Sequence, residues 1–117
     1  MVRRGEIYWV DFGVGLGSEQ SGVRPALVVQ NDAGNANSST TIVAMITSRE
    51  MRKRYPFHVP LPAGVLPRSS TVLCEQVRTV DRRRISGEPL VHLQMELMAE
   101  VDEALLLSLG LGTSRVG

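Results

Sequence analysis

Short runs of apolar residues recur through the first two thirds of the chain, separated by segments rich in Gly, Asn, Asp and Ser. The runs are enriched in β-branched and aromatic residues, and in the last of them apolar and polar positions alternate, which is typical of strands. The separating segments, such as NDAGNANSS at 31–39, have the composition of turns. Five strands are therefore predicted: EIYWVDF (6–12), PALVVQ (25–30), TTIVAMIT (40–47), FHVPL (57–61) and STVLCEQVRTV (70–80).

The period of the apolar positions changes near the C-terminus. Leucine or valine recurs every fourth residue from Leu93 to Leu109, and Gly110 ends the pattern. This spacing predicts an amphipathic helix with a glycine at its C-terminal cap. About five short strands and one terminal helix favour a mainly β fold, a small twisted barrel-like sheet with the helix packed on it.

The composition is that of a globular protein. With 117 residues, 43% apolar and 21% charged, the chain can form one hydrophobic core, so we predict a single domain over residues 1–117. No apolar stretch approaches the roughly 20 residues of a membrane-spanning helix, and MVRRGEIYWV lacks the apolar run of a signal peptide. We therefore expect a cytoplasmic protein that does not contact a membrane.

The residues that usually bind metals or form disulfides are few. Cys74 is the single cysteine, and the two histidines, His58 and His92, are far apart in the sequence. These counts exclude a disulfide framework and predict neither a zinc site nor a cofactor.

Charge is unevenly distributed along the chain. The net charge is +1, but residues 93–109 contain four acidic and no basic residues, so the rest of the chain carries +5. The basic residues cluster in the segments 49–54 and 78–84. Such asymmetry can create a basic face suited to phosphates. Charges scattered over a solvated surface are an equally good explanation of the same counts.

Two polar residues occur where predicted strands begin or end. Arg24 lies between the glycine-rich segment GVGLGSEQSG (13–22) and a strand, and Thr47 ends another strand. The segment lacks the lysine and helix start of a nucleotide-binding P-loop, so it is better interpreted as a flexible loop that admits a partner. A guanidinium and a hydroxyl together can orient a phosphodiester and stabilise charge during its cleavage. From spacing alone, an arginine in a surface ion pair and a threonine in a turn remain an alternative.

Five segments, taken in order, resemble the MazF/PemK ribonuclease toxins of bacterial toxin–antitoxin pairs. They are RRGEIYWVDF, GSEQSGVRPALVVQND, IVAMITS, EQVRTVDRRRI and VDEALLLSLGL. The resemblance implies an SH3-like twisted barrel of about five to seven strands with a C-terminal helix. It also implies a sequence-specific endoribonuclease that needs no metal and cleaves single-stranded RNA. The implied partners are a second copy in a homodimer and a cognate antitoxin with an acidic tail that blocks the RNA groove.

The resemblance also suggests which residues act. Arg24 and Thr47 match the family's catalytic arginine and threonine. The implied RNA-binding residues are Ser18, Glu19 and Gln20 in the glycine-rich loop, His58, and Gln76, with Arg78 placed on the same face as Gln76 by strand alternation. Residues 55–58 are, with the loop and Gln76, among the groups able to bind base edges. The stretch from Arg49 to Arg54 departs from the family pattern, which leaves the recognised RNA sequence open.

Cleavage without a metal requires the 2′-hydroxyl of RNA as the nucleophile and leaves 2′,3′-cyclic phosphate and 5′-hydroxyl ends. Arg24 suits charge stabilisation, and Glu19 is a candidate to accept the O2′ proton. Two alternatives are a non-catalytic toxin of the same fold that binds DNA gyrase and a non-catalytic RNA-binding module. Because Phe, Trp and Tyr make up only 4% of the chain, a broad base-stacking surface is not expected.

Overall fold

A single antiparallel sheet forms most of the molecule in the computed structural model, which describes residues 1–16 and 21–112. The described residues contain six strands in the order β4-β5-β3-β2-β1-β6. Their bounds are β1 (Glu6–Asp11), β2 (Val23–Val28), β3 (Thr40–Thr47), β4 (His58–Pro60), β5 (Thr71–Asp81) and β6 (Ile85–His92). The five predicted strands are confirmed.

The sixth strand, β6, was not predicted. Its sequence ISGEPLVH contains glycine and proline, which disfavour strands. The structure accommodates them in a bulge: the register with β1 shifts between Ile7 and Trp9, and Gly87 adopts a positive φ of 73°. Only the ends of β6 therefore pair regularly.

A short helix, α1 (Asp32–Asn37), occupies the segment for which only turns were predicted. The Asn31 side chain caps it by accepting a hydrogen bond from the Gly34 amide at 2.7 Å. Asn35 is fully buried, and its side-chain oxygen accepts hydrogen bonds from the Thr41 hydroxyl and the Gln30 amide. Tertiary hydrogen bonds thus select a helix from a sequence with turn composition.

The C-terminal helix α2 (Met95–Ser108) confirms the predicted amphipathic helix. Gly110 follows it with φ of 74°, and the Leu111 amide donates to the Leu106 carbonyl at 2.8 Å, so glycine ends the helix as expected. The acidic residues on its outer side are exposed, whereas Val101 and Ala104 are buried. No helix among the described residues is long and apolar enough to cross a membrane.

The sheet has a hydrophobic core on each face. On one, which we call the helix face, Ile7, Leu27 and Ala44 pack in the same cluster as Val101 and Ala104 of α2. The opposite face carries a second cluster, which includes Tyr8, Val10, Phe12, Ala26, Val28, Val43 and Met45.

Because β4 and β6 are both edge strands, the hydrogen-bond ladder of the described residues does not close into a complete barrel. Bulges in β5 and β6 bend the sheet instead, which gives a barrel-like curvature. The predicted fold class, mainly β and barrel-like with a C-terminal helix, is confirmed.

Candidate active site

Arg24 lies near the start of β2, and Thr47 is the last residue of the neighbouring strand β3. The antiparallel pairing of β2 and β3 ends with Ala26 opposite Met45, and the same register, extended by two residues on each strand, puts Arg24 opposite Thr47. Residues directly opposite each other project to the same side of a sheet. Both side chains therefore belong to the face of Ala26 and Met45, away from α2.

The hydrogen bonds of Arg24 and Thr47 within the protein leave further N–H and O–H donors of both side chains available. Arg24 is exposed, and its Nε donates to the Ser21 carbonyl at 2.8 Å, which uses one of the five N–H donors of a guanidinium. Thr47 is half-buried, and its hydroxyl oxygen accepts a hydrogen bond from the Arg49 amide at 3.1 Å. A hydroxyl that already accepts one such bond can still donate its own proton to an anion.

Arg78 adds a second guanidinium to the same face. It pairs with Val43 across β3 and β5, and Val43 belongs to the core on the Arg24 side. The guanidinium carbon of Arg78 lies 5.1 Å from the centroid of the Phe12 ring, a cation–π distance. We call the side of the sheet that carries Arg24, Thr47 and Arg78 the arginine face.

A bulge in β5 interrupts the alternation on which one prediction rested. Ala44 pairs with Val77 but Met45 pairs with Leu73, so residues 74–76 are left out of the β3–β5 register. As a result Val77 packs against the helix-face cluster that contains Cys74, although strict alternation places these two residues on opposite faces. The predicted unbroken alternation is therefore wrong, and it cannot place Arg78 on the same face as Gln76. Gln76 is half-buried within the bulge.

His58 also belongs to the arginine face, but it is buried. It pairs with Leu73, which in turn pairs with Met45, so the three side chains project to one side. Only 4% of the His58 side chain is exposed, and its Nε2 lies 3.0 Å from Oε2 of Glu75 in the bulge. Within the described residues Nδ1 is buried without a hydrogen-bond partner. A base would reach this ring only after a neighbour moved, so direct contact between His58 and RNA remains a prediction.

Two other aromatic residues pack around His58. The rings of Tyr55 and Phe57 are parallel, with centroids 5.2 Å apart and an interplanar angle of 4°. His58 meets both edge-on, at 5.6 and 5.0 Å. We call Tyr55 and Phe57 the aromatic stack. The sequence indicated residues 55–58 as possible base contacts, but the low overall aromatic content gave no sign that Tyr55 and Phe57 would pack together.

Several predicted residues cannot be placed with the pair. Ser18, Glu19 and Gln20 lie outside the described residues. The basic run 82–84 is engaged within the protein: Arg82 and Arg84 donate to main-chain carbonyls, and Arg83 pairs with Asp81. The hydrogen bonds from Arg83 lower the pKa of Asp81 to about 2. This run therefore has an evident structural role.

An apolar groove of about 640 Å³ lies beside the strand ends. Its walls include the cross-strand pair Trp9 and Pro25, together with Ile46, Leu66 and Leu90. Ile46 is part of the helix-face core, so the groove extends along that side of the sheet. Trp9 is 43% exposed and Leu90 41% exposed. Sequence analysis did not predict the groove, because its walls come from segments far apart in the chain.

Cys74 and the acidic residues do not form a reactive site. Cys74 is fully buried, and burial raises the pKa of its thiol to about 12, so the thiol is neutral at physiological pH. In residues 1–16 and 21–112 no three His, Cys, Asp or Glu side chains lie close enough together to hold a metal ion.

The fold and the site define a small, curved antiparallel β protein with a C-terminal helix and a basic face on which arginine and threonine side chains can bind a phosphate. Residues 3–109 match the family described as PemK-like, MazF-like toxin of type II toxin–antitoxin system. The chain belongs to this family.

Individual relatives agree with this assignment. The chain is 46% identical over 113 residues to Endoribonuclease EndoA of Bacillus subtilis (strain 168), covering 95% of this chain and 97% of the relative. It superimposes on MazF (Form-I) from Deinococcus radiodurans with a TM-score of 0.79 and 35% identity, over 94% of this chain and 97% of that one.

An endoribonuclease from Mycobacterial species, solved in complex with its cognate antitoxin, gives a TM-score of 0.77 at 25% identity. The similarity covers 95% of this chain and 97% of that chain. None of these three relatives bears a name that points to gyrase, so the gyrase-binding alternative has no support.

Proposed function

We propose that this chain is the toxin of a type II toxin–antitoxin system and acts as a sequence-specific endoribonuclease on single-stranded RNA. The observation that carries the proposal is the register of β2 and β3, which, extended by two residues beyond Ala26 and Met45, puts Arg24 opposite Thr47, on the same face as Arg78. Relatives named as endoribonucleases support it.

The proposed reaction is a transesterification. The 2′-oxygen of one nucleotide attacks the adjacent phosphorus in line, an O2′–P bond forms, and the P–O5′ bond breaks. The proton on O2′ passes to a base, for which Glu19 is the candidate, and O5′ gains a proton as it leaves. The products are a 2′,3′-cyclic phosphate and a 5′-hydroxyl, and no metal takes part.

Arg24 and Thr47 would act on the phosphate itself. Negative charge grows on the non-bridging oxygens as phosphorus becomes five-coordinate, and fixed N–H and O–H donors stabilise that charge. A guanidinium keeps its proton in proteins, so Arg24 suits charge stabilisation and proton delivery to the leaving oxygen better than proton removal. Held at the end of a strand, it needs little rearrangement to do so.

Sequence recognition is proposed to lie apart from this pair. Single-stranded RNA is recognised by splaying its bases and binding their edges. Gln76 in the β5 bulge, His58, and Ser18, Glu19 and Gln20 of the loop are the proposed readers. Phosphate contacts from Arg24 and Thr47 carry no sequence information.

The proposed partners follow the same assignment. The relative from Mycobacterial species binds a cognate antitoxin, and we propose that an acidic antitoxin tail covers the arginine face here. The net charge of +5 outside residues 93–109 favours such a tail. We further propose that the chain acts in the cytoplasm as a homodimer.

The test is cleavage of a long RNA in excess EDTA by the purified protein, with Arg24→Ala prepared identically to exclude a contaminating ribonuclease. We expect defined fragments whose ends, by mass spectrometry, are 2′,3′-cyclic phosphate and 5′-hydroxyl. Cutting only after Mg²⁺ is added, or fragments with 5′-phosphates, would contradict the mechanism. Intact RNA under all conditions would contradict the activity itself.

A further inference from the structure

The aromatic stack has no part in the chemistry above. Phe57 packs against the helix-face cluster, whereas the adjacent His58 projects to the arginine face, so the stack lies at the β4 edge of the sheet, where the two faces meet. We propose that Tyr55, supported by Phe57, is a stacking platform for one base of the RNA substrate, and that Lys53 binds the phosphate of the same nucleotide. This inference rests on the proposed function. Lys53 lies in the stretch 49–54 that departs from the family pattern, and Tyr55 and Phe57 come directly after that stretch.

The geometry of the stack suits a base. Tyr55 and Phe57 are parallel to within 4°, Phe57 is half-buried, and Tyr55 is 42% exposed at the outer end. A third flat ring placed on Tyr55 continues the same arrangement. Stacking on an aromatic side chain tolerates any base, because every base has a π-face.

The stack is held rigid from beneath. His58 meets both rings edge-on and is itself fixed by Glu75. The Phe57 carbonyl accepts a hydrogen bond from the Cys74 amide at 3.0 Å, which ties the segment to the β5 bulge. A pre-organised ring loses little conformational freedom when a base binds. These contacts hold the two rings of the stack in place.

Positive charge accompanies the exposed ring. The Lys53 ammonium lies 5.5 Å from the centroid of Tyr55. Residues 49–54 contain four basic residues and one acidic residue, and the basic side chains are exposed. A base that stacks on Tyr55 displaces the ammonium from the ring, and the phosphate of that nucleotide is the nearest new partner for it. Basic residues next to aromatic residues are typical of single-strand binding sites.

The segment that carries the stack leads directly into β4, which is separated from β3 by one strand, β5. Thr47 pairs with Thr71, which pairs with Pro60, and His58 lies two residues before Pro60 on the same edge strand. Neighbouring strands are about 4.8 Å apart, so β4 lies about 10 Å from β3. An RNA strand whose phosphate binds at Arg24 and Thr47, and which continues across β5 to the β4 edge, would reach the segment that carries Tyr55.

The experiment uses oligonucleotides that carry 2-aminopurine at one position at a time. Each contains the motif that the protein cuts, or mixed sequence if it cuts none, and 2′-O-methyl groups prevent cleavage. Stacking quenches 2-aminopurine fluorescence. The proteins are the parent chain, Tyr55→Ala, Tyr55→Phe, and Met95→Ala as a matched control in which an exposed apolar side chain on α2 is shortened.

We expect quenching at one position with the parent, Tyr55→Phe and Met95→Ala, and its loss with Tyr55→Ala. For cleavage of the unmodified RNA, Tyr55→Ala should raise KM by roughly 5- to 100-fold with little change in kcat, the range expected for one lost base stack. Circular dichroism should show equal thermal midpoints, since Tyr55 is an exposed residue.

The outcomes separate this inference from the proposed function. If the parent cuts RNA but Tyr55→Ala keeps the same quenching pattern and KM, the stacking proposal is wrong and the proposed function stands. If the parent shows the Tyr55-dependent quenching but cuts nothing, the stacking proposal stands and the catalytic proposal falls. If the parent binds none of the oligonucleotides, both are wrong.

Discussion

At the scale of single residues, the position of Arg24 is consistent with the role proposed for it, which is to stabilise charge on a phosphate. Its guanidinium is exposed at the start of β2, with one N–H bonded to the Ser21 carbonyl. Arg83, by contrast, has an ordinary structural role, because its side chain donates two hydrogen bonds to Asp81. The sequence indicated that Arg24 was unusual, and the family resemblance gave it a role. The register of β2 and β3 adds that Arg24 and Thr47 belong to the same face of the sheet, each two residues beyond the pair of Ala26 and Met45.

We predict that Arg24→Ala lowers kcat for RNA cleavage by about 10²–10³, the usual effect of losing one pre-organised donor to a charged transition state. The loss should be equal at every cleavage site, because the phosphate carries no sequence information. Stability should change little, since the side chain is exposed. Single-turnover kinetics measure the cleavage rate and a thermal melt measures the stability, with Arg83→Ala as the matched arginine control. Near-normal cutting, or an unfolded variant, would argue against the assignment.

At the scale of elements, apolar patterning predicted five strands and α2 but not the irregularities that shape the site. The alternation of apolar and polar residues describes a strand that pairs regularly with its neighbour. The β5 bulge arises from a shift in the pairing of β5 with β3, which the alternation does not reveal. The same limit applies to β6, whose glycine and proline are accommodated only by a bulge. It also applies to α1, which buries Asn35 in a hydrogen-bond network. The sequence thus predicted the elements, while tertiary contacts placed Gln76, His58 and the aromatic stack.

We predict that Gln76→Ala changes which RNA sites are cut. Gln76 lies in the part of β5 that is outside the regular ladder with β3, where a side chain is not committed to the alternating faces of the sheet. Its amide can both donate to and accept from base edges. Sequencing the 5′ ends of the fragments gives the cleavage motif of each variant. Thr79→Ala, an exposed position on the same strand, is the control and should keep the parent motif. An unchanged motif in Gln76→Ala would exclude this residue as a reader.

At the scale of the whole molecule, the two sides of the sheet have different chemistry. The arginine face is basic and suits RNA, whereas the apolar groove, with Trp9 and Leu90 in its walls, suits a protein surface. Arg24 lines the groove as well as belonging to the arginine face, so a protein bound in the groove would lie beside Arg24. Net charge and composition did not locate the arginine face or the apolar groove, because both depend on which segments the fold brings together.

We predict that the chain is a dimer at micromolar concentration and that the apolar groove forms part of its interface. Light scattering should give twice the mass of one chain. Trp9 is the single tryptophan and is 43% exposed, so its emission should shift to the red when dilution separates the subunits. Leu90→Arg places a charge in the groove and should favour the monomer, because burying an unpaired charge is costly. Met95→Arg adds the same charge on α2 and should leave the dimer intact. A monomeric parent would refute the dimer, and a dimeric Leu90→Arg variant would show that the interface lies elsewhere.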